Sequence, residues 1–219
     1  MNSQPNSLIA QKPRRLRLVF FGTPDYVIPV LESLKNAGYD IAASVTQPPK
    51  PVGRKQVLTP QPVAQWAEKE KIQIIDDRPK NVLEELKAIN APLAILAAYG
   101  RIIPQSAIDI FPMGILNIHP SLLPKYRGAI PVEAALVAGE TQTGVTIIKL
   151  DSEMDHGPIL VQETENIRPD DDRVTLRKRL LKRGAKLLLE VLPKYINGEL
   201  TPSEQNHSTA SYVTLFKND

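Results

Sequence analysis

At 219 residues, with 42% apolar and 23% charged side chains, the chain is long enough for a real core and ordinary for one large globular domain or two small ones. It has no cysteine, which excludes disulfides, thiolate zinc sites and a cysteine nucleophile; a reducing compartment fits, and the cytoplasm is the expected location. Net charge of +3 and a pI near 9.0 are a mild basic bias compatible with an anionic partner such as RNA, and no apolar run is long enough to span a bilayer.

Residues 1–15 are polar and proline-interrupted, and their patch Leu8-Ile9-Ala10 is too short for a signal segment, so they are expected to form a flexible leader. Leu16–Phe21 predicts a strand. Thr23 then Pro24 predicts an N-cap and first helical residue, opening a helix over Pro24–Ala37 that stops at Gly38. Asp40–Thr46 is a second strand, which makes a βαβ start. Gly22 stands alone after the first strand, with neither G-x-G-x-x-G nor a P-loop, which argues against a dinucleotide or nucleoside-triphosphate enzyme. The stretch Gln47–Pro62 is rich in proline and carries Lys50, Gly53, Arg54 and Lys55. It predicts a long loop without regular structure, by itself a solvated cationic excursion.

Further on, helices are predicted over Val63–Glu70, Lys80–Ile89, Gln105–Ile110 and Ile130–Ala138, and strands over Lys71–Ile75, Pro92–Ala98, Gly114–Ile118, Gly144–Leu150 and Pro158–Glu163. Pro92–Ala98 is a near-continuous apolar run, as a strand buried on both faces requires. One long helix is expected over Asp171–Ile196, begun at the Asp170–Asp172 cluster, with Pro193 near its end and Arg177, Lys178, Arg179, Lys182 and Arg183 on a solvated face. The polar tail Thr201–Asp219 is expected to wrap the domain. Alternating strands and helices define an α/β class, a doubly wound, mostly parallel sheet with a C-terminal antiparallel addition.

The chemistry concentrates in Gly114–Gly128. Asn117 and His119 are two residues apart on a strand, hence on one side, at a strand end followed by Pro120 and Pro124. Carboxyl ends of strands are where open α/β sheets keep ligands. Of the three histidines, His207 lies in the tail and reads as a solvated surface residue, while His156 sits in the acidic loop Asp151–Gly157. Asp155 is the carboxylate expected to meet His119 if that loop folds over the sheet end; it would fix the ring's tautomer and raise its basicity. Asn117 supplies a neutral donor for a developing oxyanion. Ser121 has no triad order around it, so attack by a substrate amine on an acyl carbon fits better than a covalent enzyme intermediate. A histidine near a carboxylate is more often structural, and Asn117 could equally satisfy backbone groups. His119, His156, Asp151 and Asp155 have metal-ligand chemistry but no H-x-H or H-x-x-x-H spacing, so no metal is expected.

Asn117-Ile118-His119-Pro120-Ser121-Leu122-Leu123-Pro124 with Tyr126-Arg127-Gly128 resembles the signature of 10-formyltetrahydrofolate-dependent formyltransferases, and most closely the members that act on methionyl-tRNA. Phe21-Gly22-Thr23-Pro24, Thr46-Gln47-Pro48 leading to Gly53-Arg54, Ala98-Tyr99-Gly100 with Ile103-Pro104, Gly144-Val145-Thr146 and Asp155…Gly157 extend the likeness over most of Leu16–Tyr212. The resemblance implies formyl transfer from 10-formyltetrahydrofolate to the amine of methionine on initiator tRNA, by a monomer with no membrane association. It places the catalytic roles on Asn117, His119 and Asp155, and tetrahydrofolate against Tyr99, Gly100, Ile102, Ile103 and Ser121, Leu122, Leu123 and Pro124. It gives the substrate side to Gly22, Thr23, Pro24, Gly53, Arg54, Lys55 and Arg127. Three departures accompany it. Glu133 stands where the family usually has Gln, and His156 replaces a small residue beside Asp155. The family's C-terminal β-barrel, which helps bind tRNA, has no counterpart in 16–219, so the chain is expected to be a catalytic domain or a short form that binds tRNA more weakly. An amino-sugar nucleotide is the alternative acceptor. Glycinamide ribonucleotide is disfavoured by the lack of glycines in the first loop, and a non-enzymatic RNA-binding module rests on the pI alone.

Overall fold

The protein is described by a computed structural model covering residues 16–77 and 81–214. The leader 1–15, residues 78–80 and residues 215–219 lie outside the described part. Strand β1 (Arg17–Phe21) leads to a short 3-10 turn at Asp25–Val27 and then helix α1 (Ile28–Asn36), which buries Val30, Leu31 and Leu34. The expected cap is corrected here: Thr23 does not bond into the helix, because its Oγ1 donates to the Tyr99 carbonyl at 2.9 Å. The α-helix starts later, with Pro29 in its first turn, where a missing N–H costs nothing.

Strand β2 (Asp40–Thr46) follows. Lys50–Thr59, expected to lack structure, instead forms a hairpin of β3 (Lys50–Val52) and β4 (Val57–Thr59) around a turn in which Gln56 Nε2 donates to the Gly53 carbonyl at 2.9 Å. Then come α2 (Pro62–Lys69), β5 (Gln73–Asp76), α3 (Val82–Ile89), β6 (Leu93–Leu96) and α4 (Gln105–Ile108). They are followed by β7 (Ile115–His119), β8 (Arg127–Gly128), α5 (Pro131–Val137), β9 (Gln142–Lys149) and β10 (Ile159–Asn166). The long helix α6 (Arg173–Ile196) and a two-residue strand β11 (Tyr212–Val213) complete the described chain.

Seven strands form one sheet in the order β10-β9-β7-β6-β1-β2-β5. β5, β2, β1, β6 and β7 are parallel, and β9 and β10 add an antiparallel edge beside β7. Alternation along the strands splits the core in two. Leu18, Phe20, Leu93, Ile95, Leu116 and Ile118 pack under α1, α2 and α6, whereas Val19, Phe21, Ala94, Leu96 and Ile115 pack under α3 and α4. All residues of β6 and β7 are buried, as central parallel strands require.

Helix α6 is set by its own ends. Asp172 Oδ1 accepts from the Val174 and Thr175 amides while Thr175 Oγ1 accepts from the Asp172 amide, a reciprocal capping box at the expected acidic start. Gly184 lets this helix approach the sheet: a Cβ there would lie 2.5 Å from Ile118 Cγ2. The expectation of a solvated basic face holds for Lys178 and Lys182, which are exposed, and is corrected for the arginines: Arg177 pairs with Glu133, Arg179 with Asp171 and Glu165, and Arg183 with Glu163. These pairs tie α6 to α5, β10 and the turn before the helix.

Candidate active site

Asn117 and His119 end a buried strand, 6% and 4% exposed. The loop between β9 and β10 leaves beside Ile115, where the Leu150 amide donates to its carbonyl at 2.8 Å, and folds back to bring Asp155 over them. Gly157 permits this crossing, since a Cβ there would sit 1.9 Å from the Lys149 carbonyl oxygen. Asp155 itself adopts a left-handed backbone conformation at φ 48°. Its Oδ1 accepts from Asn117 Nδ2 at 3.2 Å and its Oδ2 from the Gly128 amide at 2.8 Å. His119 Nδ1 lies 3.5 Å from Asp155 Oδ1. The opposite ring atom, Nε2, is 3.0 Å from the Tyr126 carbonyl, an acceptor only, so Nε2 carries the proton and Nδ1, on the Asp155 side, is the bare ring nitrogen.

Tyr126 is held in turn. Its backbone is left-handed at φ 60°, its phenol donates to Glu140 at 2.7 Å, and burial together with that carboxylate pushes the phenol up to about 12. The same hydrogen bond lowers the Glu140 carboxyl, with Lys125 adding to it.

Asn117, His119 and Asp155 sit in a cleft of about 360 Å3, the size of a small-molecule site. One wall is the segment after β6, with Tyr99, Gly100, Ile102 and Ile103; another is the loop Leu150–Asp155. Ile102 is 75% exposed and Met154 49%, which gives the cleft two apolar lips. Tyr99 is anchored by donors from Thr23 and Gln47 to its carbonyl, and its phenol donates to Asp77 at 3.0 Å. Burial and then Asp77 push that phenol above its ordinary value. Among the described residues no group of three or more His, Asp or Glu side chains has metal-holding geometry.

Not all residues expected at the site line this cleft. Ser121 is fully buried and donates to the Lys125 carbonyl at 2.7 Å, and the Leu123 amide donates to Thr146 Oγ1 at 3.1 Å. Leu123-Pro124 is a cis peptide bond, and Leu122 faces a separate small cavity beside Tyr126 and Glu140. Gly22, Thr23 and Pro24 lie outside the cleft lining, with Gly22 bonded to the Val45 carbonyl and Thr23 to the Tyr99 carbonyl. Gly53, Arg54 and Lys55 form the exposed tip of the β3–β4 hairpin. Arg127, expected to face substrate, is 1% exposed, bonded to Gln205, His207 and Tyr212.

Sequence reasoning passed over a third wall. Arg177 on α6 lies over the Tyr26 ring at 4.9 Å from its centroid and pairs with Glu133 on α5, and all three line the cleft. Burial raises the Tyr26 phenol, with Arg177 acting against it. The signal for this wall was the unusual Glu133; nothing marked Arg177 apart from its basic neighbours. His207 is exposed, as expected of a surface residue, and it also makes contacts. Its Nδ1 accepts from Arg127 Nη2 at 2.8 Å and its ring stacks on His156 at 3.9 Å, while His156 Nδ1 is 2.7 Å from Asp151 Oδ2.

A neutral amide, an imidazole and a carboxylate meet at one point of a cleft on an open α/β sheet, a set of groups that can serve acyl transfer to an amine without an enzyme nucleophile. Residues 16–192 match the Formyl transferase family model, and the chain belongs to that family. It is 43% identical over 207 residues to the methionyl-tRNA formyltransferase of Chloroflexus aggregans, covering 93% of this chain and 67% of that protein. It is 46% identical over 201 residues to the one from Thermus thermophilus, covering 90% and 65%. Among solved structures, phosphoribosylglycinamide formyltransferase from Bacillus halodurans superposes with a TM-score of 0.64 at 27% identity, over 78% of this chain and 95% of that one. The N-formyltransferase from Helicobacter canadensis, in complex with folinic acid and dTDP-3-aminofucose, has the same fold, with a TM-score of 0.71 at 22% identity over 91% and 70% of the two chains. The chain thus spans about two thirds of the length of the curated relatives it matches.

Proposed function

We propose that this chain transfers the formyl group of 10-formyltetrahydrofolate to the amine of methionine esterified to initiator tRNA. The observation that carries the reading is the meeting of Asn117, His119 and Asp155 in one cleft, in a chain 43% identical to a methionyl-tRNA formyltransferase over nearly its whole length. The cleft suits a flat pteridine, with apolar walls for the faces of the ring and polar groups at its edges. Tyr99, Gly100, Ile102 and Ile103 on one side and Leu150 to Met154 on the other would hold it, rather than Ser121–Pro124, whose polar groups are committed elsewhere. When bound, the folate supplies an electrophilic formyl carbon.

The chain's own residues then divide the work. Asn117 Nδ2 has two hydrogens, one given to Asp155 and one left for the formyl oxygen as negative charge develops on it. His119, fixed by Tyr126, directs its bare Nδ1 to the proton the amine loses, for return to the departing tetrahydrofolate nitrogen. Asp155, fixed by the Gly128 amide, orients both partners and sets a negative charge beside the ring that takes the proton. A substrate amine is itself the nucleophile, so no enzyme nucleophile is needed.

The tip residues Gly53, Arg54 and Lys55 form an exposed basic projection suited to tRNA phosphates. A reaction on aminoacyl-tRNA supports a cytoplasmic location, and the meeting of Asn117, His119 and Asp155 within one chain supports a monomer. An amino-sugar acceptor has support from fold likeness alone. Incubation with 10-formyltetrahydrofolate and either methionyl-tRNA or an amino-sugar nucleotide decides between them. Formylmethionyl-tRNA is the expected product; transfer to the sugar alone would overturn the reading.

A further inference from the structure

Residues 203 to 213 run along the molecule as a strap, and their hydrogen bonds converge on the two segments that hold the site. The Ser203 amide and carbonyl pair with Ile159. The Ser211 carbonyl accepts from the Arg127 amide at 2.8 Å, Ser211 Oγ accepts from the Tyr126 amide at 2.8 Å, and β11 pairs with β8. Between these points lies Gln205, which is 5% exposed. Its Oε1 accepts from Arg127 Nε at 3.2 Å and Nη2 at 2.8 Å. Its Nε2 donates to the Asp155 carbonyl at 2.9 Å and the Gly157 carbonyl at 2.7 Å. All four hydrogen-bonding positions of the amide are used.

We propose that Gln205 is a positioning residue for Asp155, joining the Tyr126–Gly128 segment to the Asp155–Gly157 turn so that the carboxylate meets Asn117 and His119. The proposal rests on the reading of Asp155 given above and extends it to a side chain that touches no reacting atom. Two observations make the restraint necessary. Asp155 is a non-glycine residue in the left-handed region, a conformation that persists only when its surroundings enforce it. The segment on the other side carries both remaining anchors of the site, the Tyr126 carbonyl on His119 and the Gly128 amide on Asp155. A relative shift of the two segments would therefore misalign the carboxylate and the ring together.

The two arms of the amide can be separated. Gln205→Glu keeps an acceptor for Arg127, a buried cation whose side-chain partners are the neutral Gln205, His207 and Tyr212, but turns lone pairs onto the Asp155 and Gly157 carbonyls. A merely structural Gln205 would let activity follow stability. Positioning requires kcat to fall about tenfold or more in Gln205→Glu while KM for both substrates stays within about twofold and the melting temperature is retained. Exchange of the Gly128 amide, followed by NMR, is expected to quicken about tenfold relative to core amides of β6. If Gln205→Glu fails to fold, Gln205→Asn, which keeps the amide but cannot span both loops, is held to the same criteria. A kcat within about twofold of wild type, a loss confined to KM, or unchanged Gly128 protection overturns the proposal. Asp155→Asn is measured alongside: if it stays active, the assignment of Asp155 falls, and if the wild type formylates no methionyl-tRNA, the acceptor reading falls. In either case Gly128 exchange alone decides for Gln205.

Discussion

Asp155 joins more of the site than any other side chain: one oxygen faces Asn117 and His119, the other is pinned by the Gly128 amide. Asn117 is the one member of the set with no charge to lose, so its substitution isolates the donor term. Asn117→Ala is expected to lower kcat by about 100-fold or more, the usual cost of a lost oxyanion donor, with KM for the folate little changed. Steady-state kinetics with methionyl-tRNA checks this, and a kcat near wild type would remove Asn117 from the chemistry. The local design is economical with charge. One anchor on His119, the Tyr126 carbonyl, and one on Asp155, the Gly128 amide, are backbone groups, which cannot titrate and need no side-chain order of their own.

At the scale of elements, α6 forms one wall of the cleft through Arg177 and Leu181 and is held at its start by Asp171 and Asp172. Arg179 grips Asp171 with both terminal nitrogens, and the Arg168 amide adds a third donor at 2.8 Å. These donors, Arg179 first, hold the Asp171 carboxyl well below its usual range. A carboxyl lowered in the folded state contributes stability above its unfolded value, near pH 4, and loses it as the pH falls further toward the folded value. Asp171→Asn is expected to cost about 2–3 kcal/mol at neutral pH, between the cost of an exposed pair and a buried one. The melting temperatures of variant and wild type are expected to converge below about pH 4. A constant difference between pH 7 and pH 3 would show that the stabilisation is not ionic.

Across the whole molecule, charge is distributed so that the pairs on α6 neutralise one another and the hairpin tip remains open to solvent. The net charge of +3 is too small to steer tRNA by itself. Binding of tRNA is therefore expected to lean on the tip. Replacing Arg54 and Lys55 together by Ala should raise KM for methionyl-tRNA and flatten the dependence of log kcat/KM on log salt by up to about 2, with kcat unchanged. A salt slope equal to that of wild type would place the tRNA elsewhere. The strap acts at this scale too: β11 lies 85 positions along the chain from the β8 residues it pairs with, and Gln205 lies 48 positions from Gly157.

Local pattern decided much of this protein. The apolar runs and the breakers between them located β1, β2, β6, β7 and α6 within a few residues, because burial against a core imposes a period on each element separately. The pair Asn117 and His119 was legible for the same reason, and Asp155 because few carboxylates lie in a loop that could reach it. Tertiary structure decided the rest. Lys50–Thr59 pairs as a hairpin although its residues are nearly all exposed and so carry no burial pattern. Thr23 turns from a helix cap to a bond with the Tyr99 carbonyl, 76 positions away. Arg127, His207 and Gln205 are polar residues whose partners lie 48 to 85 positions off, and no period records such a partnership. Their roles follow from the path of the chain, which brings a polar tail over two loops and buries a charge that sequence alone would leave in water.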